Sequence, residues 1–277
     1  MRIHHLNCGT CCPPGGRLFD GTTPGLHGRI VAHCLLIETD AGLVLVDTGF
    51  GTRDVARPHE RLSEVFIHLN NIQLRPHETA IAQVRALGFR PEDVRHIVVS
   101  HLDFDHAGGI EDFPHATVHL LSAELDAAQR RRGGIMGTER YRPQQWDEAV
   151  QFQTYRAGEG EGWFGFDAVR DLAGLPPEIL LVPLHGHTWG HSGVAVREDG
   201  GRWLFYAADA YFFRGELGST YSCPPGMRAY QRLMEVDRAA RLGNQARLRD
   251  LQREHGSEVR IFSAHDAVEF DLLSEAA

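Results

Sequence analysis

Lysine is absent from this 277-residue chain: all 28 basic residues are arginine. That excludes a P-loop lysine, a pyridoxal-phosphate Schiff base, a lysine-dependent aldolase and a kinase-type ATP lysine. The hydrolase elbow Gly-x-Ser-x-Gly is missing too, because Gly190-His191-Ser192-Gly193 continues into Val194. No apolar run reaches the length of a spanning helix, and Met1-Arg2-Ile3-His4-His5 lacks a signal-peptide core. Cysteine is sparse: Cys8, Cys11, Cys12, Cys34 and Cys223. An odd number without a signal implies reduced thiols and a cytoplasmic location. Cys8-x-x-Cys11-Cys12 has no second cysteine pair to complete a tetrahedral metal site, so it reads as a Pro/Gly-rich loop with incidental thiols. Positive charge is also in deficit. A net charge of -9 and a pI near 6.0 point away from nucleic acid and anionic membrane. The run Arg130-Arg131-Arg132 reads as a solvated helix end. Chemistry in this chain must therefore come from His, Asp, Tyr, Cys or a metal.

A hydrophobic content of 42% suffices for a substantial core. Val31 to Glu38 and Leu43 to Asp47 read as a strand pair joined by the turn Thr39-Asp40-Ala41-Gly42. Thr79 to Leu87 has helical spacing and stops at Gly88. His96 to Val99 and Thr117 to Leu121 are further strands, and Ser122 is placed to cap a helix running to about Arg131, with Glu124 favouring its dipole. Gly133 to Pro177 has weak periodicity and reads as a surface excursion of a kind that often covers a site. Strands return at Glu178 to Leu184, Val194 to Arg197, Trp203 to Ala208 and Glu258 to Phe262, with helices over Met227 to Leu242 and Asn244 to His255. The expected class is α+β, two sheets packed between helical layers, as a single domain over 1–277 with surface inserts near 52–76 and 131–177. The first insert could support a homodimer or form a small subdomain.

The densest signal is Ser100-His101-Leu102-Asp103-Phe104-Asp105-His106-Ala107-Gly108-Gly109, where four metal-capable side chains fall within six residues directly after an apolar strand. Imidazole and carboxylate groups at such a turn suit one or two divalent cations. Similar endings recur: His187 follows one apolar run, Asp209 another and His265 a last one. Dispersed ligands of this kind meet only if the sheets bring those strand ends to a common edge.

These pieces resemble the metallo-β-lactamase superfamily, and within it the N-acyl-homoserine lactonase-like branch. The matching segments are Leu45-Val46-Asp47-Thr48-Gly49, the residue 100–109 turn, Gly186-His187-Thr188-Trp189-Gly190-His191, Ala208-Asp209-Ala210 and Ala264-His265-Asp266. The resemblance implies a four-layer αβ/βα sandwich with a dinuclear site at one edge. It implies one metal on His101 and His187 with a third ligand at Asp103, a second on Asp105, His106 and His265, and Asp209 as the bridge. It casts Asp47 as an orienting hydrogen-bond partner and His185 and His191 as outer or substrate-facing groups. Asp103 departs from the commoner pattern, which has histidine there; flavodiiron relatives carry glutamate. A carboxylate hardens the ligand set, so Mn or Fe joins zinc as an expected metal.

What the resemblance implies chemically is a hydrolase in which metal-activated hydroxide attacks a lactone or related ester carbonyl. Asp105 would pass a proton to the leaving oxygen, and Tyr211 is a candidate donor to the developing oxyanion or leaving group. Phe104, Trp163, Phe164, Trp189, Phe212 and Phe213 could line an acyl pocket. The alternatives are another superfamily hydrolase acting on a thioester, phosphodiester or β-lactam, a flavodiiron-like redox protein, and a non-catalytic ligand sensor. Arg214 or Arg228 could hold the carboxylate of a glutathione thioester, whereas the acidic balance disfavours a phosphodiester.

Overall fold

Period-2 alternation in the apolar strands sorts their side chains onto two faces, and in the computed structural model those faces build a layered core. The structure describes residues 1–131, 136–146, 150–158, 161–169 and 171–275. A six-stranded sheet comprises β1 (Arg2–Cys11), β2 (Ile30–Thr39), β3 (Gly42–Val46), β4 (Val94–Val98), β5 (Thr117–Leu121) and β6 (Gln151–Tyr155), in that spatial order. Pairing is antiparallel from β1 to β3 and parallel from β3 to β6. A short hairpin, β7 (Glu161–Trp163) and β8 (Phe166–Ala168), leads to the second sheet. That sheet contains β9 (Ile179–Pro183), β10 (Ser192–Arg197), β11 (Trp203–Tyr206) and β12 (Val259–Phe262), ordered β12-β11-β10-β9. The helices that matter for the site are α1 (Glu64–Asn70), α2 (Ala80–Ala86), α3 (Ser122–Gln129), α4 (Gly137–Arg140), α5 (Pro225–Met234), α6 (Arg238–His255) and α7 (Ala267–Ser274).

The two sheets share one buried layer. Leu35 and Ile37 of β2, Val44 and Val46 of β3 and Val98 of β4 pack with Ile179, Leu181, Val194, Val196, Leu204 and Phe262 of the second sheet. Their strand neighbours point outward: Leu36, Leu45 and Ile97 join Val84 of α2 and Ala128 of α3. On the far side Leu180, Val182 and Phe205 join Leu248 and Leu251 of α6. Helix, sheet, sheet, helix is therefore the observed layering, the α+β sandwich expected from the strand pattern. Among the described residues no helix is long and apolar enough to cross a membrane.

Several local readings change. Residues 2–11 form an edge strand, with Cys8 and Cys11 buried, rather than a loop, because β2 offers them a ladder. Ser122 is the first residue inside α3 and caps nothing. The break between the late helices falls at 235–237, where the Asp237 side chain accepts from Ala240 N, and α6 runs through Gly243. The segment read as a surface excursion sends Arg140 and Tyr141 into the interior, both wholly buried. Arg130 is exposed and pairs with Asp126 at 2.8 Å; Arg132 lies outside the described residues, as do 133–135 within the excursion.

Candidate metal centre

Because β3 and β4 are parallel, and β9, β11 and β12 run in one direction, five strand ends face the same edge. Asp47, the 101–106 turn, His187, Asp209 and His265 follow those ends directly. Two of these exits use backbone that non-glycine residues rarely adopt: Asp47 has φ 55° and Ala208, before Asp209, has φ 47°. The loop bearing His187 is pinned by close backbone approach. A Cβ on Gly186, which has φ 136°, would lie 2.4 Å from Arg241 N, and one on Gly190 would lie 2.1 Å from Glu124 N.

His101, Asp103, Asp105, His106, His187, Asp209 and His265 all come together. Three groupings have ligand atoms close enough to hold one ion: His101, His106 and Asp209; His101, Asp103 and His187; and Asp105, His106 and His265. The Asp209 carboxylate stands at the centre. Its Oδ1 is 3.3 Å from His106 Nε2 and 3.2 Å from His265 Nε2. Its Oδ2 is 3.2 Å from His187 Nε2 and 3.7 Å from His101 Nε2.

The imidazoles are oriented from outside. His106 Nδ1 is 2.8 Å from Asp47 Oδ2, and His265 Nδ1 donates to the Val31 carbonyl at 2.7 Å. Ser100 Oγ donates to Asp47 Oδ2 at 2.6 Å and accepts from His101 Nδ1 at 2.9 Å. Asp47 also accepts from Ser100 N and from the Tyr206 hydroxyl, each at 2.7 Å. The bonds at His101, His106 and His265 Nδ1 place each ring's proton outward and its Nε2 inward, the tautomer that ligation needs. The result is a set of buried atoms with no hydrogen-bond partner: His101 Nε2, His106 Nε2 and Asp209 Oδ1. A buried acceptor left without a donor costs about 1–3 kcal/mol, and three such atoms aimed at one space fit a divalent cation.

Electrostatics in the cluster follow burial and charge. Burial opposes ionisation of Asp209, but His265, His106 and His187 outweigh it and hold its carboxyl well below the ordinary value. His187 is lowered to about 4, chiefly by burial. His191 is held well below its ordinary value by burial; its Nδ1 donates to the Leu184 carbonyl and its Nε2 accepts from Asp209 N, each at 2.9 Å. It thereby fixes the backbone of the central aspartate.

Two sequence-predicted residues sit elsewhere. His185 is exposed, and only its backbone carbonyl, bonded to Asn244 Nδ2 at 2.8 Å, ties it to α6. Tyr211 is fully buried and its hydroxyl donates to Glu269 at 3.0 Å, so it serves the turn before His265. Of the aromatic candidates, Phe104 and Phe212 adjoin the cluster, and Phe213 packs at the edge of the same apolar group. Trp163 and Phe164 belong to the outer layer under α6, and Trp189 is 41% exposed.

Three residues escaped sequence reasoning. Arg140 Nε donates to Asp103 Oδ1 at 2.7 Å, and its Nη2 donates to Asp103 Oδ2. Glu124 is a buried hub that accepts from Leu102 N, Tyr141 Oη, Thr188 Oγ1 and Gly190 N, joining the two ligand loops. Tyr230 on α5 accepts from Asn70 Nδ2 at 3.2 Å; burial, then the charge of Asp105, keeps its phenol protonated. Its spacing on an amphipathic helix was the one available signal; Arg140 and Glu124 had none.

The profile of the metallo-beta-lactamase superfamily matches residues 27–244. A probable metallo-hydrolase of Mycobacterium tuberculosis is 39% identical over an alignment covering 100% of this chain and 84% of that protein. An N-acyl homoserine lactonase of Bacillus cereus is 26% identical over 76% of each chain. Among solved structures, an N-acyl homoserine lactone hydrolase with N-hexanoyl-L-homoserine at its catalytic metal centre superposes with a TM-score of 0.72. It has 20% identity and covers 98% of this chain and 95% of that one, a likeness of fold.

Proposed function

Because the chain belongs to the metallo-beta-lactamase superfamily and is a metallo-hydrolase, we propose that its substrate is a lactone of the N-acyl-homoserine type or a related ester. One observation carries this reading: an apolar wall stands directly against the ligand cluster. The Phe212 ring lies 4.9 Å from that of His265 and 5.7 Å from that of His187. Phe104, Phe66, Met227 and Met234 continue the wall, with Tyr230 on its margin. These side chains are buried against one another, and their apolar chemistry suits an acyl chain better than a phosphodiester.

Asp105, His106, His265 and Asp209 are the residues we assign to hold a divalent cation, and imidazole with carboxylate suits zinc. When bound, the cation supplies a Lewis acid and a water acidified toward neutral pH. The protein's own groups do the rest. Asp105 is the most open of the candidate ligands, its side chain 15% exposed, and we assign it to return a proton to the leaving alkoxide. Tyr230, not Tyr211, is the phenol assigned to steady the carbonyl or leaving oxygen, because the Tyr211 hydroxyl is committed to Glu269. Met and Phe side chains exclude bulk water from the reacting carbonyl.

The test is a pH-stat assay of the purified protein against N-acyl-homoserine lactones of short and long acyl chain, beside a thioester, a phosphodiester and a β-lactam. Chelator-sensitive lactone opening is expected. Turnover of any of the other three with no lactone opening would replace this reading.

A further inference from the structure

The two flanks of the cluster are not equally available to a cation. On one flank His106 Nε2 and Asp209 Oδ1 have no donor. On the other, His101 Nε2 is likewise without a partner, but the guanidinium of Arg140 reaches Asp103 and His187, two of the three ligands that a second ion would need. Its Nε and Nη2 engage the two oxygens of Asp103, and Nη2 lies 2.8 Å from His187 Nε2. A guanidinium has only N–H donors, so His187 Nε2 meets Nη2 only as an acceptor; toward Asp103 Oδ2 at 3.0 Å it can only donate, and in either role the nitrogen is engaged within the protein. A lone pair pointed at an N–H is not available to a metal. An arginine that merely supported a ligating Asp103 would leave that imidazole nitrogen alone; this one takes it as well. Arg140 is also fixed in place. It is wholly buried, and its Nη1 donates to the Met234 carbonyl at 2.6 Å and to the His187 carbonyl at 3.3 Å.

We propose that Arg140 is a built-in cation standing in for one of the two metals, so that the chain binds a single divalent ion between His106, His265, Asp105 and Asp209. Asp103 is then the counter-ion of Arg140 and not a ligand. Its charge is compensated within the protein, and the reason to expect a harder metal than zinc lapses. The inference rests on the reading of the cluster as a metal centre, and is independent of the substrate.

Metal counting decides it. The full chain, saturated with Zn²⁺, desalted and measured by mass spectrometry of the metal against protein concentration, is expected to carry one ion; the ¹¹³Cd-loaded chain is expected to give one resonance. Two tightly held ions, or two resonances, would overturn the proposal and leave the hydrolase reading intact. No bound ion would overturn the metal centre itself. Arg140→Met is expected to gain a second equivalent, since it releases Asp103 and His187. A variant with native circular dichroism that still binds one ion would remove Arg140 from the explanation. If Arg140→Met does not fold, Asp103→Asn takes its place: an unchanged metal count supports the ion pair, and loss of an ion overturns it.

Discussion

The His106–His265 flank and the Asp103–His187 flank of the same cluster look alike in sequence and differ in three dimensions. Both present an imidazole and a carboxylate after a strand, and both face one oxygen of Asp209. On the first flank every outer nitrogen is tied to protein, at Asp47 or the Val31 carbonyl, and the inner nitrogens point into the cluster. On the second the carboxylate and the inner nitrogen meet Arg140. Ligand-type residues at the right spacing are thus necessary for a metal position but not sufficient, because a cation delivered by another segment can use the same donors.

The change with the largest effect should be one that strikes both flanks. Asp209→Ala is expected to lose bound metal and nearly all activity, beyond the roughly 10–100-fold that removal of an outer partner costs. Full metal content in that variant would show the carboxylate to be peripheral. Next, the flanks should separate: His265→Ala is expected to strip the ion, whereas His187→Ala keeps it and slows turnover. Equal metal loss from the two, measured after the same dialysis, would show that the flanks do not differ. Asp47→Asn acts one bond further out, through His106, and should weaken metal binding by about 10–100-fold in a competition titration.

Smaller effects concern the scaffold beneath each flank. Glu124→Gln keeps the shape of the hub but weakens charge-assisted bonds to Leu102, Thr188 and Gly190. A loss of about 1–3 kcal/mol in urea unfolding is expected, with metal content retained. Glu269, beneath the His265 turn, is raised from 4.5 to about 8, first by burial and then by Asp266. Between those values the folded chain keeps a proton that the unfolded chain has released, so this group lowers stability as pH rises from about 4.5 through 8. Glu269→Gln should flatten that part of the stability–pH curve; an unaltered slope would show that another group sets it.

The donors of the cluster were legible because metal chemistry selects residue types, and a strand end marks where they can converge. The continuous apolar runs of β2, β3 and β9 likewise announced buried strands. Arg140 was not legible, since it lies in a stretch of weak periodicity and reaches a partner 37 residues away. Tyr211 turns its hydroxyl to Glu269, because nearness to Asp209 in sequence does not fix which way a side chain points after a turn. The Pro/Gly-rich loop expected to carry Cys8 and Cys11 gave way to β1 because strand pairing is decided by the neighbour, not by local composition.

By itself, then, the sequence determined the layered α+β core and the group of His and Asp residues that could meet at its edge, since both depend on local pattern and residue chemistry. Only the tertiary structure decided which of those donors remain open to a cation. That outcome depends on one buried guanidinium, brought in by long-range packing, competing for the same lone pairs.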